Sequence, residues 1–308
     1  ENYAEMNEKG YLVSSDRGSN IVMDWMGDAA FYDATNPDAQ RFVWDKCREN
    51  YYRYGIRIFW LDEAEPEYSQ YDFDNYRYYE GTALQCSNIY PAGYARGFYD
   101  GLKGCGENEV MSLVRCAWAG SQKYAVLTWS GDICSSFRSM REQLQAGLSM
   151  GMAGIPWWTS DIGGFLGGNI KDKEFQELLL RWFAWGCFCP VFRMHGERSP
   201  WYEREDEFVD GVRQLTSGQD NEVWSFGNEN YEILKEFLFI RERLRPYIRE
   251  CMRMAHETGA PVMRPVFYDF PEDSTAWDTE DEYMFGPDLL VAPVMEAGVI
   301  ERKLYLPS

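Results

Sequence analysis

From about residue 41 the chain alternates short apolar runs with longer stretches of helical period. "YGIRIFWLD" (54–62) reads as a buried strand and "AGYARGFYDGL" (92–102) as a helix. "EVMSLVRCAW" (109–118) and "YAVLTWSGD" (124–132) carry strand patterns, and "SSFRSMREQLQAGLSMGM" (135–152) carries a helical one. "AGIPWWTSDIGG" (153–164) reads as a strand closed by glycines, followed by the helix "DKEFQELLLRWFAWGCF" (172–188). "PVFRMHG" (190–196) reads as a further strand, and a long amphipathic helix covers roughly 229–257. Beyond 258, "PVMRPVFYDFP" and "YMFGPDLLVAPV" have β-rich character.

Strands alternating with helices imply parallel strands joined by crossover helices. A doubly wound sheet and a (β/α)8 TIM barrel both fit this α/β pattern. The barrel is favoured because polar, chemistry-bearing residues stand at the end of every strand in turn and not at one switch point. Only about five of eight barrel strands are visible, and a half-barrel would expose unpaired edges. The expected architecture is therefore the C-terminal part of a barrel, about strands 4–8, over residues 1–257. Residues 258–308 would finish the barrel and begin a β-rich domain. The missing strands are expected from the rest of the natural chain, since "ENYAEMNEKG" opens without an initiator methionine.

Charge narrows the partners. A formal net charge of −20 opposes nucleic acid and anionic membranes. No uninterrupted apolar stretch is long enough to span a membrane and no signal peptide opens the chain, so a cytoplasmic location is expected. The eight cysteines are scattered, with Cys187 and Cys189 the only close pair, which suits free thiols packed as small hydrophobes better than a zinc site. No metal and no cofactor is expected, and no glycine-rich dinucleotide fingerprint occurs. The many tryptophans and tyrosines suit stacking on the apolar faces of sugars, although most of these rings must be core.

Candidate chemistry sits at the strand ends. In "IRIFWLDEAEPE", alternate residues share a face, so Ile58, Trp60 and Asp62 point one way and Phe59, Leu61 and Glu63 the other. Glu65 and Glu67 fall in the loop that follows, read as a lid over the pocket. A metal cage built from this acidic burst is a competing reading. Asp132 in "TWSGD" could cap the helix starting near Ser135, and Asp161 in "WWTSDIGG" could be a turn aspartate. Arg115 ends "SLVR", while Arg193 and His195 end "PVFRMHG". Singly each bland reading is respectable. Together, five consecutive strand ends carrying Asp, Arg, Asp, Asp and His, three of them beside Trp, favour a site. Two carboxylates with interleaved aromatics are what glycoside cleavage needs.

The motifs "FWLDEAEPE", "RCAWAGSQKYAVLTWSGD", "GIPWWTSDIGGF" and "PVFRMHG" resemble, in order and spacing, the catalytic barrel of glycoside hydrolase family 31. "EKGYLV" and "AAFYDATNPDA" resemble the segment before its nucleophile strand, and "YMFGPDLLVAPV" the start of the domain after its barrel. The resemblance implies a retaining, exo-acting α-glycosidase for terminal α-D-xylosyl or α-D-glucosyl residues of an oligosaccharide or small glycoside. It makes Asp62 the nucleophile and Asp132 the acid/base, with carboxyl groups about 5–5.5 Å apart. Arg115, Asp161 and His195 would hydrogen-bond the sugar, with Trp60, Trp129 and Phe165 as the walls of its subsite and Trp25 as a further subsite aromatic. Two departures stand out: a sugar-binding aspartate that the family supplies from an earlier strand is absent, and Glu63 follows the nucleophile. The form "LDEAEPE" resembles α-xylosidase sequences and tilts the substrate that way. A transglycosylase or an α-glucan lyase would share these motifs, and a non-catalytic carbohydrate-binding barrel is the reading from a different class. An oligomer is compatible with all of these.

Overall fold

A computed structural model describes residues 2–24, 28–65, 73–200, 208–209, 212–213 and 218–308. It divides into two compact units, Glu1–Thr128 and Trp129–Ser308.

In the N-terminal unit, helix α1 (Pro37–Asn50) starts where Asn36 accepts a hydrogen bond from the Asp38 amide, with Pro37 in the first turn. Strand β1 (Phe59–Leu61), helix α2 (Tyr90–Gly104), strand β2 (Ser112–Val114) and strand β3 (Val126–Trp129) follow. The strands pair in parallel in the order β1–β2–β3, and α2 crosses over between the first two. Leu61 is 1% exposed, whereas Ile58 is 61% and Trp60 48% exposed. Phe59 turns toward the helices, 5.9 Å from Trp44 of α1 and 5.1 Å from Phe98 of α2 between ring centroids. This is the two-face alternation of a pleated strand, with the helices covering one face only. A second core of Val13, Phe31, Tyr76, Tyr78 and Tyr90 lies under the loops of this unit.

The C-terminal unit opens at the last residue of β3. Helix α3 (Phe137–Met152), strand β4 (Trp158–Thr159), helix α4 (Lys173–Gly186) and the 31-residue helix α5 (Asn228–Thr258) form its frame. Each of α3 and α4 has a polar cap whose side chain takes the first free amides: Ser136 for α3 and Asp172 for α4. Met140, Leu144, Trp158, Leu179, Trp182 and Trp185 fill the core. After Gly259, strands β5 (Met263–Pro265), β6 (Tyr283–Phe285) and β7 (Leu289–Val291) make an antiparallel sheet.

Residues 190–196 are not a strand, contrary to the sequence pattern. Pro190 has no amide to donate, and Gly196 turns the chain at φ 145°. The segment still runs beside β4, held by two long backbone bonds of 3.4 Å, Val191 N to Trp158 O and Ile162 N to Arg193 O.

Candidate active site

In the N-terminal unit, the register of β1 on β2 sets the geometry. Leu61 lies opposite Val114 and accepts a hydrogen bond from the Arg115 amide, so Arg115 emerges beside Asp62. Its guanidinium then meets three carboxylates. Nη1 lies 3.4 Å from Asp62 Oδ1 and 3.0 Å from Glu63 Oε1, and Nε lies 2.9 Å from Glu65 Oε1. The Glu63 amide donates a further bond of 3.0 Å to Asp62 Oδ1. Glu63 adopts φ 50°, a left-handed conformation that costs a non-glycine residue. That turn swings its side chain back to Arg115, away from the direction strand alternation alone assigns.

Glu65 is thus anchored on Arg115 at the end of the described stretch after β1. It is half-buried against Arg115, and burial raises its carboxyl pKa while the guanidinium partly opposes the rise. The neighbouring Cys116 thiol is pushed up to about 12, by burial first and then by the charge of Glu65. The positive charge among these carboxylates is an arginine, standing where a cage would hold its cation. Among the described residues no group of three or more His, Cys, Asp or Glu is arranged to hold a metal ion. Trp25 and Glu67 lie outside the described residues.

The C-terminal unit gathers Trp129, Asp132, Asp161, Phe165 and His195. Three loops meet through backbone bonds: Phe165 N to Ile133 O at 2.7 Å, Ser135 N to Leu166 O at 3.0 Å, and Glu197 N to Phe165 O at 2.8 Å. Capping of α3 falls to Ser136, so Asp132 does not serve as that cap. Asp161 uses its backbone carbonyl for the turn, accepting from Gly164 N at 2.9 Å, and sends its side chain inward. That side chain is fully buried; Oδ1 is bonded to Arg193 Nη2, and Oδ2 has no hydrogen-bond partner among the described residues. Burial pushes Asp161 up to about 6, with Arg193 pulling the other way and Asp132 adding to the rise. His195 stacks on Phe165 at 5.5 Å and 25°.

Two arginines organise this cluster. Arg198 is fully buried and donates to the carbonyls of Ile162, Gly164 and Glu197 at 2.8–3.1 Å and to Asn221 Oδ1 at 2.8 Å. Arg193 joins Asp161 and lies over Trp129, 5.8 Å from the ring centroid. The sequence shows Arg193 at its strand end but not its partner, which is 32 residues away. It gives no sign of the role of Arg198.

The Glycosyl hydrolases family 31 TIM-barrel domain matches residues 1–250, and the Glycosyl hydrolase family 31 C-terminal domain matches 259–308. The chain belongs to glycoside hydrolase family 31. The crystal structure of a family 31 α-xylosidase from a soil metagenome, complexed with xylose, is 58% identical at a TM-score of 0.96 and covers all of this chain. The α-xylosidase of Saccharolobus solfataricus is 34% identical over 86% of the chain, and α-glucosidase 2 of Bacillus thermoamyloliquefaciens 30% over 92%. The family 31 chain described here spans 45% of the metagenomic structure and 35% and 34% of the other two. The parallel α/β barrel segment and the β-rich stretch after α5 agree with this family's two domains.

Proposed function

We propose that this chain is the catalytic part of a retaining, exo-acting α-glycosidase, with α-xylosides as its first substrate and α-glucosides as its second. The observation that carries the reading is Asp62 beside Trp60 on the exposed face of β1. Its Oδ1 is held by Arg115 and the Glu63 amide, and its side chain is open to solvent. An accessible carboxylate oriented by a guanidinium and a backbone amide is suited to attack on a sugar. The preference for xylose draws on the 58% identical relative, whose structure holds xylose.

In this reading an Asp62 oxygen bonds to the anomeric carbon as the glycosidic bond breaks, and Asp132 gives its proton to the leaving oxygen. Water then attacks the covalent glycosyl-enzyme, Asp132 takes the water proton, and Asp62 leaves. Asp132 shares its surroundings with Asp161 and Glu197.

The test is kinetics of the full-length protein on p-nitrophenyl α-xyloside and α-glucoside. Asp62→Ala is expected to abolish turnover. Asp132→Ala is expected to keep activity on good leaving groups, with azide restoring rate and giving a glycosyl azide of retained α configuration. A retained azide product from Asp62→Ala would exchange the two roles. Free sugar as the product supports hydrolysis, whereas a transfer product or an anhydro sugar would replace it by transglycosylation or lyase chemistry.

A further inference from the structure

Arg193 takes no part in the double displacement, yet its guanidinium is committed on two sides. Nη2 is bonded to Asp161 Oδ1, and the guanidinium carbon lies 5.8 Å from the centroid of the Trp129 ring. Asp161 is fully buried, and its Oδ2 finds no donor among the described residues. A buried acceptor without a donor is costly unless a ligand supplies one. We propose that Arg193 is a positioning residue, which aims Asp161 Oδ2 at a sugar hydroxyl, keeps that carboxylate anionic, and fixes the indole of Trp129 as the adjacent wall. The inference rests on the α-glycosidase reading given above.

The charges facing Asp161 come from three places. Arg193 reaches it from the segment beside β4, Arg198 from the turn beyond that segment, and Asp132 from the loop after β3. Glu197 in turn faces Asp132. Arg198 acts on Asp161 only through space, since its own hydrogen bonds go to backbone carbonyls and Asn221. Arg193 is thus the one cation bonded to Asp161 among the described residues. Burial and Asp132 together already push Asp161 to about 6 with Arg193 in place. Without Arg193 the carboxyl would hold its proton at neutral pH, and Oδ2 would cease to be a strong acceptor of a sugar hydroxyl.

The experiment is calorimetric titration of full-length protein with D-xylose and with D-glucose. An Asp62→Ala background removes turnover, and the measurements run from about pH 5 to about pH 8, spanning the Asp161 transition. With Arg193 present, affinity is expected to fall as pH drops through about 6. In Arg193→Met the midpoint is expected to move up by about two units or more, leaving binding at pH 7 roughly tenfold weaker or worse. Arg193→Lys keeps the charge without the fork and is expected to restore the midpoint in part. An Arg193→Met protein that binds more weakly by the same factor at every pH, with its midpoint unmoved, would overturn the inference. Should Arg193→Met fail to fold, an unmoved midpoint in Arg193→Lys with unchanged affinity does the same. Failure of the Arg193-containing protein to bind either sugar would overturn the α-glycosidase reading itself, and this inference with it.

Discussion

Asp161 is a carboxyl group whose surroundings oppose its own charge. Its pKa rises from 3.8 to about 6 on folding, with burial as the main cause. Between those values the folded chain binds more protons than the unfolded one, so the contribution of Asp161 to stability falls as pH rises through that window. By neutral pH the ionised group costs the fold up to roughly 3 kcal/mol, at about 1.4 kcal/mol per unit. Asp161→Asn removes the charge at nearly constant shape. The expected outcome is a melting temperature a few degrees higher at neutral pH, with the gain shrinking toward pH 4, together with loss of sugar affinity. Thermal melts at both pH values beside sugar titration check it; a variant that is less stable at neutral pH would show that Arg193 needs the anion more than burial penalises it. The sequence makes Asp161 visible through "WWTSDIGG", and it makes Asp62 visible through strand alternation with Trp60. It does not show that Glu63 and Glu65 turn onto Arg115, because a positive φ at Glu63 and a contact 50 or so residues distant leave no periodic trace. Nor does it show the Arg193–Asp161 pair, for the same reason of separation.

The helices follow their amphipathic patterns closely. The stretch 135–152 becomes Phe137–Met152, 172–188 becomes Lys173–Gly186, and 229–257 becomes Asn228–Thr258. A helix satisfies its own backbone, so a local pattern suffices to place it. Strands depend on partners, and they come out two to four residues long where longer runs are expected. The functional weight therefore falls on the connections between elements. Gly164 shows how tightly they are joined: at φ 79°, a Cβ there would sit 2.6 Å from Ser135 N and Cα. Both the backbone region and the neighbouring main chain refuse a side chain. Gly164→Ala is expected to cost about 2–4 kcal/mol in denaturant unfolding, by left-handed strain plus overpacking. It should weaken sugar binding further by displacing Phe165 from Ile133. A substitution that unfolds normally and binds normally would mean that these loops tolerate separation, contrary to the bonds that join them.

At the scale of the molecule, the chain's net charge of −20 is also the character of its candidate site. Among the described residues, Asp62, Glu63 and Glu65 outnumber Arg115 on one unit, and on the other Asp132, Asp161 and Glu197 outnumber Arg193 and Arg198. Neither cluster attracts or repels an uncharged sugar at long range, whereas each repels a carboxylated or phosphorylated one. Salt screens exposed charges over about 10 Å at 0.1 M, so it offers a way to tell these cases apart. For full-length protein acting on p-nitrophenyl α-xyloside, kcat/KM is expected to change by less than about twofold between low salt and ~0.5 M NaCl. The α-glucuronide, with a carboxylate where glucose has its hydroxymethyl group, is expected to turn over at least 100-fold more slowly at low salt. Salt should recover only a small part of that deficit, because a carboxylate brought within a few ångströms of Asp62 or Asp161 is too close to be screened. Faster turnover of the glucuronide than of the xyloside would mean that a cation reaches the sugar ahead of these carboxylates. Arg115 or Arg193 would then have to release its acidic partners to bind substrate, and the order of charges in the site would be the reverse of the one described.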